Sequence, residues 1–390
     1  MNSERAMELR GIYFDQLLGD VVPFWMRHSL DREHGGFLHH LDRDGRLYSS
    51  DKGVWIQARA VWMLSKLYNT VERNPDWLAA ARSGYEFLMQ HAFDTDGRMF
   101  FLLTREGQPL RKRRYLFSEA FGAIACSEYA RAAGDTQALA KAQEIYRTLL
   151  RWHRTPGLLE AKTDARTRPM LSHAMPMILI ATTQELRLSS SNPLFEEVID
   201  ESLDLILHCF VHPEIPALLE HVGPKGERLH TPAGRLVNPG HALEAAWFLL
   251  HEAMHRSDGA LVARACDIID WSLELGWDTE YGGLFAFVDV EGQPCEALEA
   301  DMKLWWPHTE ALYALLLAYH LTGDARYEEW FDRMHDYTFE HFPDPGRGEW
   351  FGYLHRDGTV ANSMKGGLWK GPFHVPRALW LLSQLLEKMG

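Results

Sequence analysis

Histidines, carboxylates, arginines and tryptophans recur in this 390-residue chain where apolar helical segments begin. The positions are Trp55, Gln57 and Arg59; Ser118 and Glu119; His173; Asn238, His241 and Glu244; Trp305, Trp306, His308 and Glu310; and His374 with Arg377. Histidine, with an ordinary pKa of about 6.5, gives and takes a proton at cellular pH. Arginine is permanently charged and stabilises an oxyanion as it develops. Glu244 follows His241 at i+3 on the same helix face, where it can orient the imidazole or favour the helix N-terminus. An indole face packs on the apolar C–H face of a sugar, so the tryptophans suit a carbohydrate ligand. Singly, each residue has an ordinary reading as a cap, an ion pair or core packing. Their joint recurrence at segment starts points to one shared site. One tempting spacing is set aside: HEAMH, residues 251–255, matches the H-E-x-x-H zinc signature but lies about 15 Å along its helix from the start, at 1.5 Å per residue. It is read as accidental, and no metal is expected.

Internal repetition shows how these starts can meet. Five segments share an apolar or aromatic run followed by a charged turn ending in glycine: GGFLHHLDRDGRLY, RMFFLLTREGQPL, ALLEHVGPKGERL, GGLFAFVDVEGQP and EWFGYLHRDGTV. Their turn glycines, Gly45, Gly107, Gly226, Gly292 and Gly358, are spaced by 62, 119, 66 and 66 residues. The double gap has a degenerate member, EAKTDARTRP. Each segment is expected to form a short β-hairpin. Between them apolar residues recur at helical spacing, giving twelve helix cores: 4–25, 57–71, 75–93, 118–133, 136–153, 173–188, 192–210, 241–255, 259–275, 308–322, 324–342 and 374–389. The links AGD, SSN, SDG and TGD read as caps within helix pairs. Six pairs with hairpins at one end predict an all-α (α/α)6 barrel spanning residues 1–390 as one domain. An open α-solenoid is the alternative. The first helix lacks a preceding hairpin and the last lacks a following partner, so pairing those two closes the ring.

Lys+Arg 40 against Asp+Glu 54 gives a net charge of −14, which argues against nucleic acid or an anionic membrane as a partner. Cys126, Cys209, Cys266 and Cys295 are scattered without a CxxC, so reduced packed thiols and a cytoplasmic location are expected. No run is long enough for a membrane span. The first residues, MNSERAMELR, lack the apolar core of a signal peptide.

The stretches DKGVWIQARAVWMLSKLY, RLVNPGHALEAAWFLL, KLWWPHTEALYALLLAY and EWFGYLHRDGTVANSMKGGLWKGPFHVPRAL resemble the N-acylglucosamine 2-epimerase family, which includes cellobiose 2-epimerases and mannose isomerases. The resemblance implies reversible inversion at C2 of an aldose by proton transfer, without a metal or nicotinamide. It implies that His241 and His374 are the acid/base pair, that Arg59 grips the reacting oxygens, and that Glu244 and Glu310 support the histidines. Tyr48, Trp55, Gln57, Glu119, His173, Glu220, Asn238, Trp305, Trp306 and Trp369 form the expected substrate-binding set. WWPHTE and the KGG…KG…FHVPR ending are closest to the N-acylglucosamine branch. LSHAMPM, with His173, and YLFSEAFG depart from that branch at the sugar pocket, which leaves unsubstituted mannose or glucose open as substrates. ATP activation, a property of some relatives, has no supporting phosphate-binding motif here.

Inversion needs a proton removed from one face of C2 and returned to the other, which two histidines on opposite sides provide. A single base gives aldose–ketose isomerisation more naturally. A glycoside hydrolase on the same barrel needs two carboxylates roughly 5–10 Å apart, available from Glu119, Glu244 and Glu310. A non-catalytic sugar-binding protein predicts binding without exchange at C2. A homodimer or monomer is the expected assembly. Within FHVPR, Pro376 suits the first turn of the last helix, and the glycines before it are expected to let the loop pass close to a ligand.

Overall fold

The computed structural model describes residues 1–160 and 163–390. Ala161 and Lys162, in the degenerate repeat segment, lie outside the described residues. Among the described residues, twelve long helices form the architecture. Helix α1 runs through Ser3–Asp15, a π-helical stretch Gln16–Val21 and Val22–His28. It is followed by α2 (Val54–Thr70), α3 (Pro75–His91), α4 (Phe117–Ala133), α5 (Thr136–Arg154) and α6 (Ala174–Arg187). Helix α7 (Pro193–Leu205) continues as a π-helix over Ile206–Phe210. The remainder are α8 (Pro239–Arg256), α9 (Gly259–Gly276), α10 (Trp305–Thr322), α11 (Ala325–His341) and α12 (His374–Met389).

Burial separates two rings. In α2 every residue from Val54 to Leu67 is buried, as befits a helix enclosed on all sides. In α5 only a stripe is buried: Ala138, Ala142, Ile145, Tyr146, Leu149 and Leu150. The even-numbered helices pack against one another in sequence as the inner ring, each backed by an odd-numbered outer helix. Closure occurs as expected: α1 packs on α12, and Trp62 of α2 meets Phe373 and Trp380 at ring distances of 5.4 and 6.4 Å. Capping follows the same division. Asn2, Asn74, Asp135, Asn192, Asp258 and Asp324 each accept a backbone N–H at the start of an outer helix. Among the inner helices only α8 has such a cap, from Asn238.

Backbone pairing stitches neighbouring units together. A two-residue strand directly before an inner helix, or one residue short of it, pairs antiparallel with a strand of the following unit: Lys52–Gly53 with Leu102–Leu103, Leu171–Ser172 with His221–Val222, Leu236–Val237 with Val288–Asp289, and Lys303–Leu304 with Tyr353–Leu354. Leu41 exchanges hydrogen bonds with Lys365 and Gly366, carrying the pattern from last unit to first. Buried charges follow the same route. Asp31 binds Lys52 and Arg105, Asp278 binds Lys303 and Arg356, and Asp344 binds Lys365 and Arg43. In each set the arginine comes from the following unit. Burial pulls the Lys303 and Lys365 ammonium groups down to about 8 against the pull of their aspartates.

The first, second and fifth repeat segments close as hairpins. The third and fourth do not: their strands pair with Leu171–Ser172 and Leu236–Val237 of the preceding unit, and Ala217–Leu218 pairs back onto Val211–His212. Pro224 and Pro294 follow those runs and supply no N–H to a ladder. The turn glycines carry a packing role as well. Gly107 has φ +91°, and a Cβ there would lie 2.3 Å from the ring of His91, the last residue of α3.

Asp344→Asn would strand the buried Lys365 ammonium and release Arg43. A loss of about 3–5 kcal/mol is expected in urea unfolding, against about 1 kcal/mol for removing the exposed cap with Asp324→Ala.

Candidate active site

The inner-helix starts converge. His374, the first residue of α12, directs Nδ1 to Glu310 Oε1 at 2.8 Å. One nitrogen of Arg377, Nη2, donates to Glu244 Oε1 at 2.6 Å and to Glu310 Oε1 at 2.7 Å, and lies 3.4 Å from His374 Nδ1. Trp247 donates from Nε1 to the other oxygen of Glu310 at 2.9 Å. Burial, reinforced by the Arg377 and Arg59 cations, pushes His374 well below its ordinary pKa. Burial opposes the Arg377 charge too, but Glu310 and Glu244 more than compensate.

His241 stands nearby with the opposite bias. Its Nδ1 meets Glu220 Oε1 at 3.0 Å. Burial disfavours its charge, yet Glu220, with Glu244 and Glu310 behind, lifts its pKa above the ordinary value. Burial likewise disfavours the Glu220 carboxylate, but the His241 charge and hydrogen bond hold it down at about 2. Trp306 packs against both imidazoles, 5.1 Å from His241 and 5.8 Å from His374. It fits because a Cβ on Gly240 would come within 2.6 Å of its ring. With Nδ1 of each histidine engaged by a carboxylate, Nε2 is the nitrogen left for a ligand.

Arg59 has no carboxylate partner among the described residues. Its guanidinium lies 4.4, 4.1 and 4.6 Å from the ring centroids of Trp55, Phe121 and Phe373. Burial lowers its pKa to about 9. Trp55 donates to the Leu368 carbonyl and meets Trp369 edge-on at 5.5 Å. Trp369 is 45% exposed and Tyr48 is 52% exposed, with the Tyr48 hydroxyl bound to the Gly366 carbonyl at 3.0 Å. Trp305 is buried against Tyr353 and His374.

Several expected ligands are bound by the scaffold instead. Glu244 pairs with Arg377, whereas Glu220 orients His241; the i+3 spacing gave the right face but the wrong partner. Gln57 is fully buried and brackets the Phe37 backbone with two 2.7 Å bonds. Glu119 is fully buried beneath Arg98 and the Met99 N–H. Asn238 caps α8 through the His241 N–H. His308 is fully buried, accepting from the Leu284 N–H and donating to the Leu304 carbonyl. His173 is fully buried beside Glu220, with both ring nitrogens unpaired among the described residues and its pKa pushed down by burial to about 4. The glycines before FHVPR approach protein: a Cβ on Gly366 would meet the His39 carbonyl and one on Gly371 the side chain of Ile56.

Trp247 escaped the sequence reading although it follows Glu244 at i+3, the spacing that links His241 to Glu244. In HEAMH, His251 bonds Tyr313, and Glu252 bonds Arg187 and Arg256. The ligand-type atoms of Glu244, Glu310 and His374, grouped within 4.8 Å, already have Arg377 as their cation. Beyond that layer a cavity of about 610 Å³ is lined by Arg377, Glu244, Trp247, Tyr313 and Trp380. Among the described residues, no helix is long and apolar enough to cross a membrane.

Residues 35–376 match the family model described as N-acylglucosamine 2-epimerase (GlcNAc 2-epimerase). The chain is 41% identical to the N-acylglucosamine 2-epimerase of Bos taurus, over 95% of this chain and 90% of that one. It is 40% identical to the Homo sapiens N-acylglucosamine 2-epimerase, over 95% and 88% respectively. The fold superposes on cellobiose 2-epimerase from Bacillus thermoamylovorans B4167 with a TM-score of 0.84 at 21% identity, covering 96% of this chain and 98% of that one. Two carboxylate-bound histidines on this barrel, together with these matches over nearly the whole chain, show that the chain belongs to the N-acylglucosamine 2-epimerase family.

Proposed function

We propose that the chain is a sugar 2-epimerase, an isomerase that interconverts N-acetylglucosamine and N-acetylmannosamine, and that His374 and His241 carry the two proton transfers. The observation that supports this most is the pair itself. Two imidazoles flank one indole, each with Nδ1 bound to its own carboxylate, and their pKa values are displaced in opposite directions. Groups whose environments separate their pKa values take the base and acid roles respectively.

The sugar reacts in its open-chain form, where the C1 aldehyde acidifies the C2–H bond. Neutral His374 takes the C2 proton through Nε2, and the bonding electrons move into an enolate, with a C1–C2 double bond and the charge on O1. Arg59, buried and without an acid partner, lies free to stabilise the oxygen that gains charge. Protonated His241 returns a proton to the opposite face of C2, and the C1 carbonyl re-forms. The reaction is redox-neutral, and its only net change is configuration. Five inner helices without side-chain caps add the positive ends of their dipoles on the side where negative charge develops. In this reading the chain acts as one catalytic domain on a free cytoplasmic sugar, and a homodimer is the proposed assembly.

In D2O, the wild-type protein should place deuterium at C2 of N-acetylmannosamine as it forms N-acetylglucosamine, with mannose and cellobiose as competing substrates in parallel arms. His374→Asn and His241→Asn should each lower kcat by about 10²–10⁴-fold. Epimerisation and C2 exchange that survive both substitutions refute the assignment, and turnover confined to mannose or cellobiose refutes the N-acetyl specificity.

Glu220→Gln tests the acid. Since Glu220 holds the His241 pKa up, its loss should move the alkaline limb of kcat/KM to lower pH by about one unit or more. An unmoved limb assigns the acid elsewhere.

A further inference from the structure

Arg377 is committed to carboxylates. It is buried, one of its nitrogens serves two glutamates at 2.6 and 2.7 Å, and its guanidinium lies 4.4 Å from the Phe373 ring centroid and 5.1 Å from that of Trp247. Glu310 Oε1 accepts from both Arg377 Nη2 and His374 Nδ1. Arginine, carboxylate and imidazole thus meet at one oxygen, with Glu244 held by the same guanidinium nitrogen.

We infer that Arg377 is a positioning residue of the proton-transfer step: it binds Glu244 and Glu310 into one layer and keeps His374 in the neutral form, with the proton on Nδ1 and Nε2 open to C2. The geometry requires such a residue. Glu244, Glu310 and His374 bring ligand atoms within 4.8 Å of one another. Two carboxylates that close in a buried site favour a proton on one of themselves or on the adjacent imidazole. A cation that bonds both satisfies them without protonating His374, and Glu310 Oε1 is left to accept the Nδ1–H. The groups facing His374 are Arg377 on its own helix, Glu310 on α10, Glu244 and His241 on α8, and Arg59 on α2. Arg377 and Arg59 oppose a charge on the ring, Glu244 favours it, and His241 opposes it when protonated. Removing Arg377 therefore shifts the balance towards a protonated, non-basic His374.

This inference rests on the two-histidine reading, and its test is the acid limb of the pH profile. That limb reports the base in the free enzyme: activity falls as pH drops through the His374 pKa. In Arg377→Gln, kcat/KM for N-acetylmannosamine should keep an acid limb displaced to higher pH by about one unit or more. Arg377→Lys, which keeps a cation, should return the limb towards the wild-type position even where kcat stays reduced. Glu244→Gln, which leaves Arg377 in place, should displace it the opposite way; this variant keeps the inference testable if the arginine substitutions fail to fold, as judged by circular dichroism. Uniformly reduced rates with the limb unmoved in Arg377→Gln, or in Glu244→Gln where Arg377→Gln does not fold, overturn the inference and leave Arg377 a structural brace. The deuterium experiment on the histidine variants separates the two failures. If the histidines prove essential while the limb does not move, only the role of Arg377 falls.

Discussion

Closing the ring is the constraint on which everything else in this molecule depends. The site draws on α2, α8, α10 and α12, which come from both ends of the chain and its middle, so an open stack would leave its parts dispersed. Closure is made at three levels. Helix α1 packs on α12, Leu41 exchanges backbone bonds with Lys365 and Gly366, and Arg43 reaches Asp344 across the seam. The seam repeats the device used at two other places in the ring, an aspartate held by the lysine of its own unit and the arginine of the next. Buried ion pairs contribute little net stability, since desolvation offsets much of their attraction. What they supply here is registry: Lys52 and Lys303, each fixed two residues before an inner helix, fix where that helix begins, and Lys365 anchors the loop that leads into α12.

The same economy of charge organises the centre. Arg59 and Arg377 lie 4.6 and 4.4 Å from the centroid of one ring, that of Phe373. They differ in what neutralises them. Arg377 is satisfied by two glutamates, whereas Arg59 faces three aromatic rings and no acid among the described residues. Burying a cation without a hydrogen-bonded partner is costly, and the fall of the Arg59 pKa to about 9 records that cost. A site that must stabilise a short-lived oxyanion benefits from this imbalance, because the stabilising group is already dehydrated and no carboxylate is hydrogen-bonded to it among the described residues. The uncapped inner helix starts are the backbone counterpart of the same arrangement.

Much of this was legible in the sequence. Helical periodicity and charged turns at intervals of about 65 residues gave the twelve helices, the pairing and the closure. AGD, SSN, SDG and TGD all proved to be caps. Convergence followed from topology, since inner helices that begin at one end bring their first residues together. Local spacing failed where a long-range partner decided the outcome. Gln57 and Glu119 look like polar rim residues, but each faces outward to backbone that only the folded outer layer supplies. Glu244 shares a helix face with His241, yet an arginine 133 residues further along the chain binds it more closely. The third and fourth repeat segments have the turn residues of hairpins and pair with neighbouring units, a choice made by the ring.

The two histidines also differ in their access to solvent, and that difference bears on how a reversible two-base site resets. On the two-histidine reading, one passage leaves His374 carrying a proton and His241 without one, the reverse of the state their surroundings favour. Before the next passage in the same direction, His374 must lose a proton and His241 regain one. The His241 side chain is 29% exposed and that of His374 is 11% exposed. His241 can therefore exchange directly with water at the rim, while Arg377 and Arg59 drive the proton off His374. A second sugar that binds before the reset meets the site primed for the opposite conversion. Unequal pKa values thus set the resting state without setting the equilibrium, which belongs to the sugars alone.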